Sequence, residues 1–107
     1  MDGSRLVATL KAYPYAEILF PKEPLLVQLV VDGQSFFLSI RQGEILFQEE
    51  GTMESEIILS GTKAVMEEVI EGKRKLLEAI RLKGLQAKGS YRRLLLLESI
   101  FWLAGMQ

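Results

Sequence analysis

The sequence contains neither cysteine nor histidine. Without cysteine there are no disulfides and no thiolate chemistry. Without histidine the commonest general base and the commonest zinc ligand are both missing. Long apolar runs are also absent. No stretch reaches the 18 or so consecutive residues that a membrane span needs, and the N-terminus, MDGSRLVATLKAYPY, has no basic region ahead of an apolar run, as a secretory signal would. Charge of one sign is not in excess either. The formal net charge is −1, which argues against a general nucleic-acid binder with its concentrated basic face. Ala-Gly-Met-Gln at the C-terminus is neither a peroxisomal tripeptide nor a prenylation box, so a cytoplasmic protein is expected.

What is present in quantity is apolar surface. The chain has 107 residues, 49% of them hydrophobic and 25% charged. That length suits one domain spanning residues 1–107, able to bury one modest core.

Residues Ser4 to Tyr13 fit a short helix, capped by Asp2 or Ser4, with Leu6, Val7 and Leu10 on one face. Pro14, Pro21 and Pro24 then interrupt regular structure, leaving Tyr15–Phe20 as an edge strand or an apolar loop. Tyr13, Tyr15, Ile18, Leu19 and Phe20 need cover there, and a flap over the core is expected. Leu25–Val31, Phe36–Ile40 and Glu44–Gln48 read as an antiparallel meander. Its first turn is Asp32-Gly33, a strong hairpin signal because primed turns need positive φ. Its second turn is Gln42-Gly43. After the polar loop Glu49–Met53, a fourth strand is expected over Glu56–Leu59.

Ser60 is the expected cap of a helix over Gly61–Glu71, ended by Gly72. Lys63, Glu67, Glu68 and Glu71 form its solvated side, with Lys73, Arg74 and Lys75 offsetting glutamates that oppose the helix dipole. A second helix is expected over Arg74–Leu82, ended by Gly84, then a short strand, Leu85–Lys88. Gly84 and Gly89 have the spacing of a phosphate-binding loop. Ser90 stands where that loop requires lysine, and the strand and helix come in the wrong order, so this reading is excluded. No other spacing suggests a catalytic constellation. Catalysis would have to come from Asp, Glu, Lys or Tyr in a dry pocket, so a non-enzyme is expected, with no metal and no cofactor.

The last helix, Tyr91–Ala104 after a Ser90 cap, is apolar around nearly its whole circumference. Such a helix is buried on every side or lies against something outside the chain. An internal lipid, a partner subunit such as a second copy, or a membrane surface touched transiently could each complete it.

Taken together, VQLVVDGQSFFLSIRQGEILFQ, ESEIILSGTKAVMEEVIEG and LQAKGSYRRLLLLESIFWLAG resemble successive segments of the sterol carrier protein 2 family, over about Gln28 to Leu103. The N-terminal helix is shorter than is typical there. Lys83 stands where the family places a glycine, with Gly84 displaced by one. The missing peroxisomal signal points to a bacterial-type, free-standing member. The resemblance implies an α+β fold: a five-stranded mixed, mainly antiparallel sheet with helices on one face and an apolar cavity between the layers. It also implies non-covalent binding of a fatty-acyl or sterol-like lipid. On that basis the expected lining is Phe36, Leu38, Ile45 and Phe47 from the sheet and Val65, Val69, Leu77 and Ile80 from the helices. Leu97, Phe101 and Trp102 form the expected lid, with Arg92 or Arg93 available to a head group. The alternative is a non-catalytic interaction or dimerisation module that uses the C-terminal helix.

Overall fold

A computed structural model describes residues 3–12, 18–49, 51 and 54–105. The element order is α1 (Gly3–Ala12), β1 (Leu25–Val31), β2 (Gln34–Arg41), β3 (Glu44–Gln48), β4 (Ile57–Gly61), α2 (Lys63–Ile70), α3 (Leu76–Arg81), β5 (Leu85–Lys88) and α4 (Tyr91–Ala104). The five strands form one sheet in the order β3-β2-β1-β4-β5. β1 and β4 pair in parallel, and the other three pairings are antiparallel. The expected mixed, mainly antiparallel sheet is therefore present.

The meander follows its turns. Asp32 and Gly33 have φ of 50° and 84°, the pair of positive angles that a primed two-residue hairpin requires. Register then decides which residues meet. Leu29 faces Phe36, Val27 faces Leu38 and Leu25 faces Ile40 across β1–β2; Ile45 and Phe47 join them from β3, and Ile57 and Leu59 from β4. Side chains alternate between faces along a strand, so these all share one face, and that face forms a single core with buried residues of all four helices. On the opposite face Phe37 is buried, and Leu26, Val30 and Ile58 are half-buried between polar neighbours such as Gln28 and Ser39. Gln28 Nε2 donates to Ser35 Oγ there at 3.1 Å.

Two helix starts differ from the sequence-based expectation: α3 begins at Leu76 and not at Arg74, with Lys75 as its N-cap, and α2 begins later than Gly61. Ser60 and Gly61 continue β4, paired with Gln86 and Leu85 of β5, so Ser60 does not cap α2. Thr62 does: its side chain accepts from the Val65 N–H at 3.4 Å. The parallel pairing of β4 with β1, carried on to Val31–Gly61, holds these two residues extended and moves the helix start by two positions.

Both short helices end in the same hydrogen-bond pattern. After α2, the Gly72 N–H donates to Val69 O and the Lys73 N–H to Glu68 O. After α3, the Lys83 N–H donates to Ile80 O and the Gly84 N–H to Ala79 O. Each is a Schellman closure, which needs a left-handed residue. Gly72 takes that position at φ 76° in one and Lys83 at φ 62° in the other. Gly84 does not take the left-handed position, and a Cβ there would only reach Val65 Cγ1 at 3.4 Å, about ordinary van der Waals contact. Lysine, and not the displaced glycine, thus carries the left-handed backbone strain.

Of the expected flap, Tyr13 and Tyr15 lie outside the described residues. Phe20 is buried in the core and Leu19 packs against it, but Ile18 is 74% exposed.

Candidate functional site

The layer between sheet and helices is the candidate site. Its sheet side comes from strand alternation: Phe36, Leu38, Ile45 and Phe47 project toward the helices, and the Phe36 and Phe47 rings stack with centroids 5.6 Å apart and planes at 29°. Its helical side comes from helical periodicity. Val69 is buried on α2, with Val65 half-buried one turn earlier; Leu77 and Ile80 of α3 are half-buried against the same cluster; Leu97 and Phe101 of α4 are fully buried. Ten of the eleven residues expected from the sequence thus meet in one apolar cluster.

Trp102 is the exception. It is half-buried and stands outside that cluster, with Lys75 Nζ 5.0 Å from its ring centroid. It points to the rim of the helical layer, where a cation over an indole face is favourable. Leu97 and Phe101, expected to be lid residues, are instead central to the core.

Among the described residues no polar or charged residue is buried, and no buried side-chain N or O atom lacks a partner. The layer is therefore hydrocarbon throughout. It can solvate an apolar chain or ring system, but it has nothing to satisfy a carboxylate, whose burial without hydrogen bonds would be costly.

α3 is held in this layer by an unusual contact. Its N-cap, Lys75, makes no side-chain cap. Instead Glu98 of α4, 21 residues away in sequence, accepts from the Leu77 N–H at 2.8 Å. A carboxylate at a helix start satisfies a free donor and complements the dipole, so α3 and α4 are tied across their interface.

Where α1 meets α2, a groove of about 380 Å³ opens to the surface. Leu6 and Ile70 line it and also belong to the core. Its rim carries Arg5, Thr9, Lys63, Glu67 and Glu71. The charges are paired, Arg5 with Glu71 at 3.1 Å and Lys63 with Glu67 at 3.8 Å. No expected site residue lines this groove, because sequence periodicity does not show which two helix faces will be left apart. Of the two arginines considered for a head group, Arg93 is engaged with Glu56 at 3.1 Å and Arg92 is exposed.

No family model matches the sequence, and no curated protein matches it. Solved structures do. One described as "UbiJ-SCP2 Ubiquinone synthesis protein" superposes with a TM-score of 0.71 at 16% identity, covering 97% of this chain and 88% of that one. The inverting sec-alkylsulfatase Pisa1 from Pseudomonas sp. matches with a TM-score of 0.65 at 15% identity; 78% of this chain corresponds to only 14% of the enzyme. Palmitated SCP2L2 from Aedes aegypti matches with a TM-score of 0.62 at 12% identity, covering 94% of this chain and 95% of that one. At these identities the likeness establishes the fold.

Proposed function

We propose that this chain, having the sterol carrier fold, is a lipid-binding protein that holds a fatty-acyl or sterol-like ligand non-covalently between its sheet and its helices. The observation that carries the reading is the composition of that layer: one continuous apolar cluster, contributed by both sides, with no buried polar residue among those described. Shared architecture adds support, since one protein of this fold is described as palmitated and others as sterol carriers.

The lining is Phe36, Leu38, Ile45, Phe47, Val65, Val69, Leu77, Ile80, Leu97 and Phe101, with Trp102 at the rim. Burying one methylene contributes roughly 0.8 kcal/mol, so a 16-carbon chain gains on the order of 12 kcal/mol gross, against about 4–15 kcal/mol for association and ordering. Useful affinity thus requires nearly complete enclosure. Leu38 and Leu97 are inaccessible in this structure, so uptake involves a parting of helices and sheet. The α1–α2 groove is where it begins, since Leu6 and Ile70 join the surface to the core at that point. A groove of about 380 Å³ lies within the roughly 300–1,000 Å³ of small-molecule sites. With a hydrocarbon interior the ligand's polar head stays at the rim, outside the sheet–helix layer.

Native mass spectrometry of freshly purified protein, followed by titration with a fluorescent fatty acid, tests this. A co-purifying lipid mass or saturable one-to-one binding is expected, weakened by Val65→Trp, which fills the layer from its half-buried edge. Protein free of lipid that also takes up no fatty acid would overturn the proposal.

A further inference from the structure

The charges of this chain are segregated. Between Lys73 and Arg93 stand eight basic residues and one acidic residue, Glu78; the rest of the chain carries five basic and thirteen acidic residues. A net charge of −1 conceals a strongly basic segment within an acidic remainder. That segment builds α3, β5 and the start of α4, which form one corner of the fold because α3 packs on both β5 and α4.

Apart from Lys75, which lies over the Trp102 ring, the basic residues divide into two groups. Lys73, Arg74 and Arg93 are occupied by Glu71, Glu68 and Glu56 at 3.0–3.1 Å. Arg81, Lys83, Lys88 and Arg92 are exposed and make no ion pair among the described residues. Of the two carboxylates on α3 and α4, one is turned away from them and one is exposed beside them. Glu98 is directed inward onto the Leu77 N–H, and Glu78 is exposed on α3.

Among these free cations lie three of the large exposed apolar side chains: Leu82 at 60%, Tyr91 at 68% and Leu95 at 41% exposure. Tyr91, Leu95 and Trp102 fall at i, i+4 and i+11, along one stripe of α4. Glu98 and Trp102 place this stripe beside α3, through their contacts with Leu77 and Lys75. Leu82 ends α3 in the turn before β5. The exposed part of α4, at Tyr91, Arg92 and Leu95, is thus continuous with the cationic corner.

We propose that this α3–α4 corner docks reversibly on an anionic phospholipid surface. The combination is specific to that partner. Leu82, Tyr91 and Leu95 reach the depth of the interface, where a small apolar area gives weak insertion, while cations beside them are drawn to anionic head groups. Paired ion-bridged helices would not provide this, and neither feature alone holds a protein at a membrane. The proposal builds on the lipid-carrier reading by naming the donor or acceptor surface, yet it is measured without cargo. The corner is separate from the α1–α2 groove, so docking leaves that groove free.

The test is co-sedimentation of the full chain with vesicles of phosphatidylcholine alone or mixed with phosphatidylglycerol. Binding is expected only to the mixed vesicles and is expected to fall as salt is raised. Arg81→Gln/Lys88→Gln/Arg92→Gln should weaken it on the order of 100-fold, at about fivefold per cation. Lys11→Gln/Lys22→Gln/Arg41→Gln removes equal charge elsewhere and should change it little. Leu82→Ser/Leu95→Ser should weaken binding while the circular dichroism spectrum stays unchanged. Equal binding to both vesicles, equal loss in the two triple variants, or retention on RNA or an acidic peptide without vesicle binding would overturn the proposal. Fatty-acid uptake assayed without vesicles separates the two readings. Uptake without docking refutes this surface alone, and docking without uptake refutes the carrier reading alone.

Discussion

Gly72→Ala probes how the helical layer is closed over the sheet. Gly72 follows α2 at φ 76°, and a Cβ on it would stand 2.8 Å from Gly105 Cα and 3.1 Å from Phe101 O. Gly105 meets it from the end of α4, where a Cβ would in turn run into the Glu71 carbonyl and Gly72 Cα. Two glycines therefore allow the end of α2 and the end of α4 to touch backbone to backbone. Alanine at position 72 adds left-handed strain of about 1–2 kcal/mol and overpacking of about 1–3 kcal/mol, less about 0.4–1 kcal/mol from a stiffer unfolded chain. The expected net loss is about 1–5 kcal/mol, centred near 3, and a loss of about 3 kcal/mol lowers Tm by roughly 12–24 °C at about 4–8 °C per kcal/mol. Urea titration followed by far-UV circular dichroism measures it. Gly33→Ala is the internal control: its φ is 84°, but a Cβ there meets nothing within 4 Å, so only the backbone strain applies. If Gly72→Ala lost no more than Gly33→Ala, close packing of α2 on α4 would not be what holds this layer, and the reasoning would fail.

Glu98→Ala removes the acceptor of the Leu77 N–H and should cost about 1.5–3 kcal/mol, the usual worth of a hydrogen bond to a charged group, with hydrogen exchange fastest in α3. Lys83→Gly relieves the non-glycine left-handed residue after α3 and should raise stability by about 0.5–1 kcal/mol in urea titration, strain relief of about 1–2 kcal/mol outweighing the added freedom of the unfolded chain. Thr62→Ala should cost about 1 kcal/mol as a lost cap, whereas Ser60→Ala, within β4, should not show a capping loss; the reverse ranking by thermal melts would contradict the assigned start of α2.

Much of the architecture was legible in the chain. Alternation placed Phe36, Leu38, Ile45 and Phe47 on one face, Asp32-Gly33 marked the hairpin, and Ser90 marked the start of α4, where its side chain accepts from the Arg93 N–H at 3.2 Å. These are local signals. Period, turn chemistry and capping act within a few residues and survive without tertiary contacts. Where a distant partner intervened, the local reading slipped. Ser60 looked like a cap and became strand because β1 and β5 flank it. Lys83 holds the left-handed position expected of a glycine because the Schellman closure fixes the backbone there.

The candidate site divides in the same way. That its residues are apolar and turned toward one layer was set by the order of residues along each strand and helix. Which of them lie at the centre was decided only by packing: Leu97 and Phe101 are enclosed because α4 rests its inner half on the core, while Trp102, one residue on, turns out to Lys75. The groove between α1 and α2 and the gathering of free cations beside Leu82, Tyr91 and Leu95 likewise depend on how elements distant in sequence are juxtaposed. Sequence determines what each face can bury, because side-chain chemistry and backbone period are local. Tertiary structure decides which faces are buried and which remain for a ligand or a membrane, because burial depends on two surfaces meeting.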